Sequence, residues 1–360
     1  DFLTNLMVES LPKRNKAIGV TSLGGGAETL KELEFDLPTL EPTEILVENH
    51  ALSINPLDIQ LRQHGLWLSG KVSESTPFIP GCEGVGKVVA KGSEVKKFNE
   101  GDLVFYTYQG LYGSAAKYTV VDHRQAAHAP KSLDIAQTAG ITTAFGTSLE
   151  AFTEALGLSH NPADNANKTI LIIGGGGGVG SAAIQIAKTL GLTVVATASR
   201  PETEKFARKM GADYVINHKN SFAEEIKNFD GEIKGFDYVF STAEITQETF
   251  KKITDVLNVF GAICGIVAFK EAIDIGTGFS KRATVGFGVF ALKANLKQRL
   301  ETYNQYFETI AKWFDEGKLI SNVTTVKEFS KEALIEGHKK VEEGTMVGKY
   351  VLKDVNKFFA

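Results

Sequence analysis

The rhythm of apolar positions changes twice along the chain. From residue 16 to about 135, short apolar runs (Ile45–Val47, Gly84–Ala90, Leu103–Tyr106, Ala116–Val121) are separated by Gly, Pro and charged turns, the pattern of a β-rich unit. From about 136 to 300, apolar strand-like runs alternate with segments at helical spacing. Strands are predicted at Thr169–Ile173, Thr193–Ala198, Tyr214–Ile216, Phe236–Ser241 and Ala262–Ala268. Helices are predicted behind Gly180 and near Glu202–Met210 and Thr246–Leu257. Pro201 suits the first turn of the second of these helices. Repeated β-α units of this kind predict an α/β fold with a doubly wound parallel sheet.

From about residue 303 an amphipathic helix carries Tyr306, Ile310, Trp313 and Phe314 on one side. A strand at Val323–Phe329, a helix at Lys331–Glu342 and a last strand at Gly348–Leu352 follow. This tail fits neither the sheet units nor a linker and is expected to return to the first unit. The chain therefore divides into a tail (1–15), a β-rich domain (16–140), an inserted α/β domain (141–302) and a C-terminal return (303–360). Met7 reads as a native start, with residues 1–6 as a cloning remnant.

The junction of strand and helix at residue 174 carries the most chemistry. Five glycines, 174–178, are followed by Val179 and Gly180, so Gly175, Gly177 and Gly180 have G-x-G-x-x-G spacing. A dinucleotide diphosphate needs that geometry: a tight turn, a backbone without Cβ facing the phosphates, and a helix close on its strand. The helix N-terminus adds free N–H groups and the positive dipole end. The preceding β-branched strand and the following helix, with Gly191 as its stop, make a mere glycine-rich loop the poorer reading.

Composition narrows the function classes. Of 360 residues, 43% are hydrophobic and 23% charged, as in globular proteins, and the length suggests about two domains. A net charge of −4 argues against a nucleic-acid partner and gives no sign of membrane attraction. No apolar run reaches the ~20 residues of a transmembrane helix, and the first residues lack the pattern of a secretory signal. The two cysteines, Cys82 and Cys264, are too few for a disulfide framework or a four-cysteine zinc site, which points to a reducing cytoplasm.

Several segments together resemble the medium-chain dehydrogenase/reductase superfamily. They are Asn55-Pro56-Leu57-Asp58 with Arg62, Pro80-Gly81-Cys82-Glu83-Gly84-Val85-Gly86, Gly101-Asp102-Leu103-Val104, Ile141-Thr142-Thr143-Ala144, the glycine turn, and Gly211-Ala212-Asp213. The first is similar to the N-P-x-D…R signature of the quinone oxidoreductase branch. Ser159-His160-Asn161-Pro162 and Met346-Val347-Gly348-Lys349 look most like the bacterial zinc-type alcohol dehydrogenase-like subgroup. The resemblance runs from about Ala17 to Leu352. It implies a Rossmann domain inserted into a GroES-like domain, a nicotinamide cofactor and a homodimer joined through edge strands.

The resemblance also raises the question of zinc. The three catalytic-zinc positions match Asn55, Cys82 and about Thr138, of which one suits the ion, and the four-cysteine lobe is missing. No bound zinc is expected. The nucleotide contacts implied are Thr142, Gly175, Gly177, Gly178, Val179, Gly180, Ser199, Arg200, His218 and Val267. At the end of the second strand an NAD enzyme carries Asp or Glu. Here Ala198-Ser199-Arg200 stands, which favours NADPH over NADH, because Ser can donate to a 2′-phosphate and Arg can pair with it.

Catalytic candidates are Asn55, as hydrogen-bond donor to a substrate carbonyl, with Asp58 beside it and Arg62 steering an anion or pairing with a carboxylate. Asp58 also reads as a cap of the next helix, and Thr142 as a helix N-cap. The proton donor is open among His64, Trp67, which is no acid near neutral pH, and solvent. Both cysteines read as inert buried thiols. The expectation is a zinc-independent, NADPH-dependent reductase of a quinone or an α,β-unsaturated carbonyl. The alternatives are a zinc alcohol dehydrogenase and a nucleotide-binding redox sensor without turnover.

Overall fold

The computed structural model describes residues 13–229 and 231–360. The expected cloning remnant, with Met7, lies outside the described residues. In the N-terminal part the strands are β1 (Arg14–Gly19), β2 (Lys31–Asp36), β3 (Glu44–Ser53), β4 (Glu83–Lys91), β5 (Leu103–Thr107), β6 (Tyr118–Asp122) and β7 (Ala126–His128), with helix α1 (Pro56–His64) after β3. Helices α2 (Ile135–Ala139) and α3 (Thr142–Glu150) lead into the inserted domain.

That domain runs through β8 (Thr169–Ile173), α4 (Gly178–Thr189), β9 (Thr193–Thr197), α5 (Pro201–Lys209), β10 (Tyr214–Ile216), α6 (Phe222–Glu225) and β11 (Phe236–Ser241). It continues through α7 (Gln247–Val256), β12 (Leu257–Gly265), α8 (Gly276–Phe279), β13 (Thr284–Phe287) and α9 (Ala291–Leu296). The chain then returns through α10 (Glu301–Asp315), β14 (Val323–Glu328), α11 (Lys331–Glu342) and β15 (Lys349–Lys353).

The six inserted strands form one sheet in the order β10-β9-β8-β11-β12-β13, every neighbouring pair parallel. Strand order therefore reverses between β8 and β11, and the crevice at their C-terminal ends is where such sheets receive ligands. The second sheet has the order β14-β15-β3-β4-β5-β7, with β6 also on β3. The C-terminal return thus completes the N-terminal sheet through β15 on β3. Strand β12 begins at Leu257, five positions before the predicted start, because Leu257 already pairs with Phe236 across a register shift.

Two helices tie the sheets into one core. The face of α10 predicted from Tyr306, Ile310, Trp313 and Phe314 is buried, together with Tyr303 and Phe307. Phe314 meets Phe145 of α3 edge-on at 5.0 Å, and Phe307 meets Phe105 of β5 at 5.4 Å. Each such side chain contributes roughly 1.5–3 kcal/mol by leaving water, so the two domains share an apolar seam.

Arg62 stands elsewhere than a substrate path. Its side chain is fully buried; Nε donates to Gly25 O at 3.2 Å, Nη1 lies 3.0 Å from His338 Nδ1, and Nη2 pairs with the Glu342 carboxylate. Burial, then the Arg62 charge, push His338 down to about 3, so the ring is neutral and leaves Glu342 as the countercharge. A guanidinium so enclosed has no face to steer an anion. It ties α1 to α11 instead. Glu342→Gln is expected to lower stability by about 2 kcal/mol in denaturant unfolding, less than a fully buried pair because Glu342 keeps contact with solvent. An unchanged midpoint would contradict this role.

Candidate functional site

The glycine turn sits where β8 ends at the sheet's reversal. Gly174 takes φ +90°, and Gly175 N donates to Thr197 O at 3.0 Å. Gly177 is the N-cap of α4. A Cβ on Gly180 would stand 2.0 Å from Gly174 O, so only glycine lets the helix lie on the turn. A Cβ on Gly177 would meet nothing nearer than 3.7 Å. Gly177, Gly178 and Val179 are half-exposed while Gly175 and Gly180 are buried, so the turn presents its central backbone outward at a helix head. That cradle fits a dinucleotide diphosphate.

Of the other predicted nucleotide contacts, Ser199, Arg200, His218 and Val267 follow β9, β10 and β12, at the same edge of the parallel sheet as the turn. Ser199 and Arg200 follow β9 and are half-buried; the Arg200 guanidinium reaches Thr345 O at 3.2 Å and Glu202 Oε1 at 3.2 Å. His218 follows β10, and burial first, then Lys219 and Lys252, lower its pKa. Val267 lies half-buried beyond β12. Thr142 is the first residue of α3, whose N-cap is Ile141, so it does not cap the helix. Its hydroxyl is fully buried with no protein partner. Buried hydroxyls are rarely left so, which suits a ligand group at this point.

The second half of the site is brought in by β15. Gly348 N donates to Gly176 O at 2.9 Å, so the start of β15 lies against the turn. Asn322 holds that junction, donating to Gly178 O at 2.8 Å. The next residue, Lys349, runs past Gly178, where a Cβ would come within 2.7 Å of its Cδ. Its ammonium is buried, 2.5 Å from Asn55 Oδ1 and 2.8 Å from Glu83 Oε1. Glu83 is fully buried and accepts three further bonds: Ser53 Oγ at 2.5 Å, Asn55 Nδ2 at 2.7 Å and Thr143 N at 2.7 Å.

Sequence reasoning placed Asn55 here and read Glu83 as a structural acceptor, but gave Lys349 no role. The local signal was the Met346-Val347-Gly348-Lys349 segment, which carried the family resemblance without pointing to the partners of Lys349.

Asn55 and Asp58 divide their work differently from expectation. Asn55 Nδ2 donates to Ser53 O at 3.2 Å and to Glu83, so both amide hydrogens are committed and Oδ1 accepts from Lys349. The reverse amide orientation would set an NH2 against an ammonium. Asn55 therefore has no hydrogen left for a substrate carbonyl. Asp58 Oδ2 accepts Asn55 N at 2.8 Å, the helix-capping alternative, while Oδ1 accepts Gly81 N at 2.8 Å and Cys82 N at 2.9 Å. It clamps two loops rather than facing a ligand. Burial pushes its carboxyl up to about 6 against the pull of those three N–H groups.

The donor set for zinc is poor. Cys82 is buried, and burial, then Asp58 and Glu83, raise its thiol well above its ordinary value. Thr138 Oγ1 donates to Asp134 O at 2.7 Å, and Asn55 Oδ1 is taken by a cation already. Among the described residues, no group of three or more His, Cys, Asp or Glu is placed to hold a metal. The proton-donor candidates also fall away from the cluster: His64 is exposed, and Trp67 Nε1 donates to Gln109 O at 2.9 Å.

Two outcomes follow from this geometry. Gly177→Ala should leave stability within about 0.5 kcal/mol yet weaken dinucleotide binding more than about tenfold, whereas Gly180→Ala should cost about 2 kcal/mol of stability. Calorimetric titration and thermal melts read both; equal effects of the two would contradict the turn's orientation. For Asp58, a folded pKa raised above the free value means stability is fully present below about pH 4 and lost as pH rises through about 6. The stability of the native protein relative to Asp58→Asn should thus fall between pH 4 and 6 and then level off. A flat difference across that window would sink the assignment.

Residues 178–311 match the zinc-binding dehydrogenase family, and residues 41–131 match the alcohol dehydrogenase GroES-like domain. A zinc-type alcohol dehydrogenase-like protein of Staphylococcus aureus (strain MSSA476) is 36% identical over 325 residues, 89% of this chain and 94% of that one.

The NADPH-dependent alkenal/one oxidoreductase of Arabidopsis thaliana chloroplasts is 32% identical over 71% of this chain and 64% of its own length. The quinone oxidoreductase of Sus scrofa is 33% identical over 60% and 62%. A putative zinc-dependent alcohol dehydrogenase from Rhizobium etli CFN 42 superposes with a TM-score of 0.85 at 30% identity, covering 95% of this chain and 98% of that one. Glycine turn, inserted parallel sheet and returning last strand thus agree with full-length sequence similarity: the chain belongs to the medium-chain dehydrogenase/reductase superfamily of oxidoreductases, among its zinc-type alcohol dehydrogenase-like members.

Proposed function

We propose that this chain is a zinc-independent, NADPH-dependent reductase of conjugated carbonyls, with quinones first and α,β-unsaturated carbonyls second. The observation that carries the reading is the juxtaposition across Gly348: a diphosphate cradle on one side and a buried ammonium bonded to Asn55 on the other. When bound, a nicotinamide nucleotide supplies the hydride. The chain's own groups do the rest. The turn 177–179 and the head of α4 take the diphosphate, Thr142 offers its unpartnered hydroxyl, and the cleft excludes water and orients the acceptor. The relatives that act on quinones and alkenals, named above, support the acceptor class.

Preference for NADPH rests on Ser199 and Arg200, whose guanidinium keeps Nη1 for a 2′-phosphate beside the Nε pairing with Glu202 and the Nη2 bond to Thr345 O. A second copy of the chain is the partner we propose. Strand β13 ends the parallel sheet, and Phe287 and Val289 beside it are about half exposed, with Phe260 and Phe279 also bare. Both cysteines are free and buried, in keeping with a reducing cytoplasm, and no described helix is long and apolar enough to cross a membrane.

Purified protein should oxidise NADPH with quinones and enones faster than with simple aldehydes, and with at least about tenfold preference over NADH, a difference of ~1.4 kcal/mol. Arg200→Ala should remove most of that preference. No oxidation of either nucleotide with any of these acceptors would overturn the reading.

A further inference from the structure

Most donors around Glu83 are committed; besides the neutral Thr142 hydroxyl, assigned above to the nucleotide, one charged group keeps a hydrogen free. Asn55 has given both amide hydrogens to Ser53 and Glu83. The Ser53 hydroxyl and the Thr143 N–H go to Glu83, and the Gly81 and Cys82 N–H groups go to Asp58. The Trp67 indole goes to Gln109 O. Lys349 is different. Its ammonium has three hydrogens, and the protein takes two of them, through Asn55 Oδ1 and Glu83 Oε1. The charge is buried, compensated by one fully buried carboxylate and fixed by Asn55, so it is aimed rather than solvated.

Resting on the reductase function proposed above, we propose that Lys349 is the catalytic residue that polarises the acceptor's carbonyl oxygen and protonates it, in the place of a metal ion. As hydride adds to the conjugated carbon, a C–H bond forms and the π electron pair moves onto oxygen. One Lys349 N–H bond breaks as the O–H bond forms. The acceptor gains two electrons and a proton beyond the hydride's own nucleus, and NADPH becomes NADP+. Lys349 is left as a neutral amine. Solvent reprotonates it. Preorganised charge in an enclosed site is the form of stabilisation such a reaction needs.

The test uses Lys349→Met and, to avoid a lone buried carboxylate, the double variant Lys349→Met/Glu83→Gln, with Lys349→Arg as the conservative replacement. Calorimetry gives the NADPH Kd, and turnover is measured at saturating NADPH. The proposal expects kcat to fall at least about a hundredfold in the double variant while the NADPH Kd changes less than about tenfold. Lys349→Arg should recover only part of kcat, because guanidinium polarises but does not give up its proton near neutral pH.

A readout without turnover is 4-nitrophenol, a stand-in for the reduced oxygen, titrated into the nucleotide-free protein. Its bound phenol should ionise at lower pH in the native protein and not in the double variant. Unchanged kcat with an NADPH Kd raised about a hundredfold would overturn the proposal, making Lys349 a diphosphate ligand. So would a nitrophenol ionisation that the double variant shares. Inactivity of the native protein with every conjugated carbonyl would instead defeat the reductase reading itself.

Discussion

A single buried ion pair joins the two halves of this molecule's chemistry. Lys349 and Glu83 lie 266 residues apart in sequence and 2.8 Å apart in the fold, both shielded from solvent. Such a pair is costly to assemble, because both charges leave water, and it persists only where further hydrogen bonds satisfy the carboxylate. Here Ser53, Asn55 and Thr143 do so, drawing the end of β3, the segment before α1 and the first turn of α3 onto Glu83. The last strand can deliver Lys349 only because β15 has joined β3 and its first residues have docked on the glycine turn. Closing the N-terminal sheet and assembling the site are therefore one event.

The glycine turn owes its position to the parallel sheet. Strand order reverses beside β8, so the turn opens into a crevice instead of packing under a neighbouring crossover. Gly180 keeps α4 close enough to aim its head at that crevice, and Gly178 leaves room for the Lys349 stem. The apolar seam of α3 and α10 holds the sheets on either side of it. Stability and site geometry are thus served by the same few contacts.

Much of this was legible in the sequence, for local reasons. The turn announces itself because spacing, strand and helix are contiguous. Strands such as Tyr214–Ile216 and Phe236–Ser241 fall where apolar runs predict them. The return of the tail was readable from a pattern that fitted no other unit. What was not legible depends on distance along the chain. Nothing near Lys349 says that Asn55, 294 residues away, will accept from it. Nothing near Arg62 says that Glu342 and His338 will enclose it. Asn55 was recognised, but its hydrogens are spent on Ser53 and Glu83, which only the folded arrangement shows.

The central claim is that a fixed ammonium, with no metal ion, polarises the acceptor's oxygen. Its most direct test is metal analysis of protein assayed before and after exhaustive chelation. The account predicts zinc far below one ion per chain and undiminished reduction of a quinone by NADPH. One tightly held zinc per chain, whose removal abolishes the reaction and whose return restores it, would contradict the account.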